Sequence, residues 1–165
     1  MSDPNANLPP NRIPWPPLIV LGTAAAAFVL TWLLPVPADF LRVMPVRLVG
    51  FLVLAAGLGF DIMAVLTMAR QRANVLPHRA ATALVTTGPF SLSRNPIYLG
   101  NTLVLAGFGL AFAAPWFIAA AAAEAWLVTW LAIRREEAHM ADRFGAAWEA
   151  YARRTKRWFG WSGSG

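Results

Sequence analysis

The chain contains no cysteine, which excludes disulfides, thiolate catalysis and cysteine-based metal sites. Charge is also scarce: 13% of the 165 residues are charged against 58% hydrophobic, a balance outside that of ordinary soluble domains. No glycine-rich strand-to-helix loop is present, which argues against the soluble, Rossmann-like nucleotide enzymes. The loop serines and threonines have no histidine and acid partner that the sequence identifies, so no activated nucleophile is expected. Two histidines, His78 and His139, lie too far apart in the chain to suggest a metal site, and none is expected. No internal repeat of about 20 to 50 residues is visible.

What the chain does have is long apolar runs. Residues 1–17 are polar and proline-rich and read as a tail approaching the membrane interface. Residues 18–34 form the first apolar run, closed by Pro35 and Pro37. Small residues at Val36 and Ala38 admit a cleaved signal peptide as a competing reading, against which stands the long tail with its arginine. Residues 48–69 form a second run, long enough to span a bilayer, with one acid, Asp61. Residues 97–133 are a third, 37 residues with a single charge, Glu124. As one helix this stretch would be about 55 Å long, against a hydrocarbon core of about 30 Å. It must fold back, and Pro115 is the expected corner, giving helices over 97–114 and 115–133.

The expected fold is therefore an all-α integral membrane protein, a single domain of about four transmembrane helices whose last two form a tight hairpin. Residues 134–158 carry Met140, Phe144, Trp148 and Tyr151 at helical spacing and are expected to form a cytoplasmic amphipathic cap. Eight tryptophans, several near the ends of apolar runs, suit the headgroup region. Twelve of the fourteen Arg and Lys lie in the tail, the 70–96 loop and the carboxyl-terminal segment. By the positive-inside rule both termini are expected to be cytoplasmic, in a bacterial inner membrane. The same distribution accounts for the net charge of +6 without a nucleic-acid partner. The lipid bilayer is the expected partner, and the sequence leaves the oligomeric state open.

A hairpin over 97–133 would return the chain to the side it left. That brings LVTTGPFSLSRNPIYLG (84–100) beside RREEAHMADRFGAAWEAY (134–151). The two elements together resemble the signature of the isoprenylcysteine carboxyl methyltransferase family and its phospholipid methyltransferase relatives, over roughly Thr82 to Trp158. The resemblance implies S-adenosylmethionine as cofactor, bound between hairpin and cap, and an acceptor that arrives from the bilayer. It places Thr82, Ala83, Leu84, Val85, Phe90, Asn95, Pro96, Ile97 and Tyr98 around the cofactor, with Glu136 from the acid pair. Gly88 and Pro89 would shape the turn, with Arg94 and Glu137 as neighbours, and Glu137 is an alternative contacting acid. Arg134 and Glu124 are the candidates for work on the acceptor. Three departures bear on that acceptor: Asn95 and Thr82 stand where the carboxyl methyltransferases usually have histidine, with His78 four residues before Thr82, and Phe90 stands for a frequent tyrosine.

The chemistry of the residues agrees with this expectation. A cofactor cationic at sulfur and amine, with one carboxylate, suits a pocket of acids and arginines at a water–membrane boundary. Methyl transfer needs alignment of donor and acceptor more than a covalent intermediate. Gly57 and Gly59, in the second run, read as helix contact or as cofactor approach. Asp61 and Glu124 sit near the middle of apolar helices, where ionised carboxylates are costly, so they should face the protein interior or be protonated. They would orient the acceptor, take its proton, or make a structural hydrogen bond between helices. The expected function is methyl transfer to a hydrophobic or membrane-resident acceptor, a lipid amine, carboxylate or thiol. The alternatives are methyl esterification of a prenylated cysteine, and a non-catalytic membrane protein or transporter subunit.

Overall fold

The computed structural model describes residues 13–73 and 82–160, so His78 and most of the amino-terminal tail lie outside the described residues. The described chain is helical, with no strand element. Its helices are α1 (Trp15–Leu33), α2 (Met44–Arg70), α3 (Pro96–Ala111), α4 (Pro115–Val128), α5 (Arg134–Phe144) and α6 (Ala146–Arg154). Each of the first four has proline in its opening positions, where the missing N–H would have had no partner within the helix. Short 3-10 turns lie at Asp39–Leu41 and Gly88–Ser91.

Three stretches are long and apolar enough to cross a membrane: α1, α2, and Pro115–Phe144 as one continuous run. The expected fourth span is shorter, since α3 has 16 residues where a spanning helix needs about 20. The carboxyl-terminal segment also differs from the expected single amphipathic helix. A five-residue π turn, Thr129–Ile133, joins α4 directly to α5, and the break comes instead at Gly145, whose φ of 49° favours glycine. The stripe expected on one helix is thereby divided. Met140 and Phe144 stay half-buried on α5, while Trp148 and Tyr151 on α6 are buried in packing.

Chain neighbours are not always spatial neighbours. The most extensive contact pairs α2 with α3, and α4 packs on both α3 and α1. Between α1 and α4 the contact is built on small and aromatic side chains, including Ala27, Ala120, Ala121 and Phe117. At one end of the bundle, Arg47 Nε donates to the Ala111 carbonyl at 3.1 Å and Trp116 Nε1 to the Leu34 carbonyl at 2.7 Å. These bonds hold the α1–α2 and α3–α4 connections together.

The α2–α3 contact is a meeting of backbones through glycines spaced seven apart, Gly50 and Gly57 on α2 with Gly100 and Gly107 on α3. A methyl group on Gly57 would stand 2.8 Å from the Gly100 carbonyl oxygen. One on Gly50 would overlap the Ala111 backbone, and one on Gly107 the Leu54 backbone. Small residues permit such approach where apolar side chains gain nothing by leaving lipid. Gly59 is different, since a methyl there meets nothing within 4 Å. Large apolar side chains such as Leu21, Trp32, Leu52 and Ile62 remain exposed on α1 and α2, as a lipid-facing surface requires.

Gly107→Ala should therefore lower the stability of the detergent-solubilised protein by about 1 to 3 kcal/mol through overpacking against backbone. Gly59→Ala should be neutral or slightly stabilising, because it improves helix propensity at no steric cost. Thermal unfolding of the two variants measures the contrast, and equal midpoints would contradict the close α2–α3 packing.

Candidate functional site

The site begins where the chain enters α3. Gly88, at φ 61°, turns the segment beneath α2, its α-carbon facing Thr67, and the 3-10 turn leads to Ser93, Arg94 and Asn95. These residues are bound to the strap after α6. Ser93 Oγ and Asn95 Nδ2 both donate to the Arg157 carbonyl, each at 3.2 Å, and the Arg94 N–H donates to the Lys156 carbonyl at 3.0 Å. Tyr151 Oη donates to the Phe90 carbonyl at 2.6 Å from a buried position that pushes its phenol above the ordinary range. The strap thus covers the segment through backbone groups as well as side chains.

The acid pair divides its work. Glu137 is held by two arginines: Arg157 approaches with Nη2 at 2.6 Å and Nε at 3.1 and 3.2 Å, and Arg94 Nη1 lies at 3.3 Å. The Glu137 side chain is only 13% exposed, so this is a partly desolvated clamp and not a surface pair. Hydrogen bonding to Glu137 raises the already high pKa of Arg157. Arg94 also lies 5.8 Å from the centre of the Trp148 ring. Glu136 faces the other way and accepts a 2.8 Å hydrogen bond from Tyr98 Oη on α3.

The π turn explains why Glu136 meets α3. In an unbroken α-helix Glu124 and Glu136 would lie about 120° apart around the axis. A π turn absorbs one extra residue, which brings them to within about 20°. Both acids then face α3, where Thr102 Oγ1 donates to Glu124 Oε2 at 2.6 Å. Tyr98 and Thr102, one helical turn apart, mark out this line between the two acids.

The residues expected in the site are placed as follows. Asn95, Pro96, Tyr98 and Val85 are buried, and Ala83, Leu84, Phe90, Arg94, Ile97, Glu136 and Glu137 are half-buried. Thr82 is exposed, its hydroxyl donating to the Arg72 carbonyl at 3.2 Å. Glu124 is fully buried within the helices. Arg134 is exposed, its guanidinium 3.4 Å above the Trp130 ring, on the surface of the helical run. His139 is half-buried, with a buried Nε2 that has no hydrogen-bond partner. Among the described residues no group of three or more His, Cys, Asp or Glu comes together in a way that would hold a metal ion. Sequence reasoning missed Ser93, Thr102 and Arg157. Thr102 carried a usable signal, a lone hydroxyl four residues after Tyr98 in an apolar helix, whereas nothing distinguished Arg157 from the other arginines of its segment.

Glu137→Gln would leave Arg94 and Arg157 facing a neutral amide. Loss of the charge-assisted bonds should cost about 1.5 to 3 kcal/mol, and the strap after α6 should become the first part of the chain cut by trypsin. Thermal unfolding and limited proteolysis read this out; a parent-like digestion pattern would remove Glu137 from the role of clamp.

Comparison with known proteins covers this same region. The sequence profile of the phospholipid methyltransferase family matches residues 46–147, more than half of the chain, from the start of α2 through Tyr98 and Glu136. The chain is also 38% identical over 81 residues to the nickel-cobalt-cadmium resistance protein NccN of Alcaligenes xylosoxydans xylosoxydans, a stretch that is 49% of this chain and 38% of that protein. It thus spans about two fifths of that relative's length. No solved structure matches. With the family match extending from α2 to the end of α5 and including both Tyr98 and the acid pair, this chain belongs to the phospholipid methyltransferase family.

Proposed function

We propose that the protein transfers a methyl group from S-adenosylmethionine to a hydrophobic or membrane-resident acceptor. The observation that carries this reading is the 2.8 Å bond from Tyr98 to Glu136, which joins the Arg94-Asn95-Pro96-Ile97-Tyr98 segment to the acid pair inside the family-matched region.

The residues fit the cofactor. Arg94 Nε is buried and has no hydrogen-bond partner, so it offers a donor suited to a carboxylate. Glu136 offers negative charge for the sulfonium and ammonium end, and Tyr98 orients that carboxylate. Thr82 to Val85, Phe90, Pro96 and Ile97 would form the remaining wall, and Asn95 would keep the segment against the strap. When bound, the cofactor supplies an activated methyl group on sulfur. The chain's part is to align the acceptor and to limit water at the boundary, because in-line transfer depends on positioning. Glu137, saturated by Arg94 and Arg157, holds the cap in place and is the less suited of the two acids to a cofactor contact. Arg134, stacked on Trp130, suits an anionic headgroup at the membrane surface.

We further propose that both termini and the 70–96 loop face the cytoplasm, since twelve of fourteen basic residues lie in those segments. The meeting of the α1–α2 and α3–α4 connections at one end of the bundle supports four crossings, with α3 completed by its flanking residues. Reporter fusions after Ala38 and after Ala114 should both read as outside. A cytoplasmic signal at Ala114 would rule out this arrangement.

Glu136→Gln removes a charge-assisted contact worth about 1.5 to 3 kcal/mol, so affinity for S-adenosylmethionine should fall about ten- to hundredfold with little change in stability. Glu149, whose side chain is 68% exposed and 3.8 Å from Arg153, is the matched control and should stay within about twofold as Gln. Titration calorimetry on parent and variants decides the matter: equal affinities would take Glu136 out of the site.

A further inference from the structure

Thr102 has one hydroxyl proton and two short contacts that call for it. Its Oγ1 lies 2.9 Å from the Tyr98 carbonyl oxygen, one turn back on α3, and 2.6 Å from Glu124 Oε2 on α4. A carbonyl oxygen only accepts, so the Tyr98 contact takes the hydroxyl proton, in the back-bonding common to threonine inside a helix. An ionised Glu124 would also only accept, and the single proton would have to serve both contacts. A proton shared in that way gives two long bonds, whereas 2.6 Å is at the short end for O–H···O. The short contact is accounted for when Glu124 brings a proton of its own.

The surroundings of Glu124 agree. The residue is 0% exposed, and among the described residues no arginine, lysine or histidine pairs with it. Its Oε1 is buried without a hydrogen-bond partner. An ionised carboxylate there would present two charged oxygens to a single donor in an apolar bundle, whereas a neutral acid leaves only its carbonyl oxygen unpaired.

We propose that Glu124 is a neutral acid and a positioning residue: its O–H donates to Thr102 Oγ1, the Thr102 proton goes to the Tyr98 carbonyl, and this chain of donors fixes the turn of α3 that presents the Tyr98 phenol to Glu136. The inference rests on the methyl-transfer reading above for its purpose, and on the α3–α4 contact for its substance. Tyr98 is then held at both ends, its backbone through Thr102 and its phenol at 2.8 Å from Glu136, with its ring buried in one cluster with Val128, Ala132 and Ile133. Such placement matters because alignment in a transfer site is sensitive to displacements of about 1 Å. Glu124 acts on the acid pair through α3 and touches no substrate. Since it already holds its proton, it is not the base that an acceptor would need.

Two spectroscopic readouts on the whole chain in dodecyl maltoside, a detergent without a carbonyl group, test the assignment without any ligand. At neutral pH the infrared carbonyl stretch of a neutral carboxyl group should be present in the parent, lose a component in Glu124→Gln and keep that component in Glu149→Gln. The Raman doublet of tyrosine reports whether a phenol donates a strong hydrogen bond, and with only two tyrosines in the chain the Tyr98→Phe variant identifies the share of Tyr98. Glu124→Gln, whose amide still donates to Thr102, and Thr102→Ser should keep the donor signature of Tyr98. Glu124→Leu and Thr102→Val should weaken it. An infrared spectrum unchanged by Glu124→Gln would overturn the neutral acid, and a Tyr98 signature unchanged in both Glu124→Leu and Thr102→Val would overturn the positioning role. Calorimetry with S-adenosylmethionine separates this inference from the reading that it rests on. Affinity should fall about fivefold or more in the Leu and Val variants and stay within about twofold in the Gln and Ser variants. A parent that binds no cofactor, with both spectroscopic results as expected, removes methyl transfer and leaves the donor chain, whereas a parent that binds, with all four variants equal to it, removes the donor chain from the site.

Discussion

Helices α2 and α3 touch along their backbones, and much of the molecule's arrangement depends on that contact. In lipid no hydrophobic force drives apolar helices together, so close packing has to supply the attraction. Glycines at positions 50, 57, 100 and 107 allow it, and the consequences are local as well as global. At one end the contact puts Arg47 within reach of the Ala111 carbonyl. In the middle it lets the Asp61 carboxyl group lie where a larger residue at position 100 would exclude it. Toward the other end, Thr67 lies against Gly88, where the polar segment turns toward the start of α3.

Acids in this chain are held in three distinct ways, and the difference bears on what each can do. Glu137 is clamped by two guanidinium groups, an arrangement that fixes a cap and leaves little capacity for another ligand. Glu136, one residue earlier and about 100° around the helix, is met by a phenol, which orients the carboxylate toward α3. Glu124, deeper still, has one hydroxyl and no counter-charge among the described residues. A π turn aligns the last two along α3, at the small cost of less regular backbone hydrogen bonding. π turns of this kind often accompany functional sites because they change which side chains share a face without ending the helix.

Length, the apolar runs and the proline at position 115 were enough to indicate a helical membrane protein, because burial in lipid imposes a composition that can be read residue by residue. The two polar segments were also identifiable, since Arg94 to Tyr98 and Glu136-Glu137 stand out against apolar surroundings and the long run between them has to turn. Other properties depend on partners distant in sequence, and periodicity does not name partners. Nothing in the acid pair itself said that Glu137 would be taken by Arg94 and Arg157, or that Glu136 would turn toward Tyr98. Nor does a hydrophobic pattern say that α1 packs on α4 in place of α2. The division of the aromatic stripe at Gly145 and the π turn at Thr129–Ile133 were set by the docking of the strap and of α3, which select one local geometry from several that the same residues permit. The sequence thus determined the solvent each segment requires; only the tertiary structure decided which polar groups meet, because in a low-dielectric interior each must find its partner from within the fold.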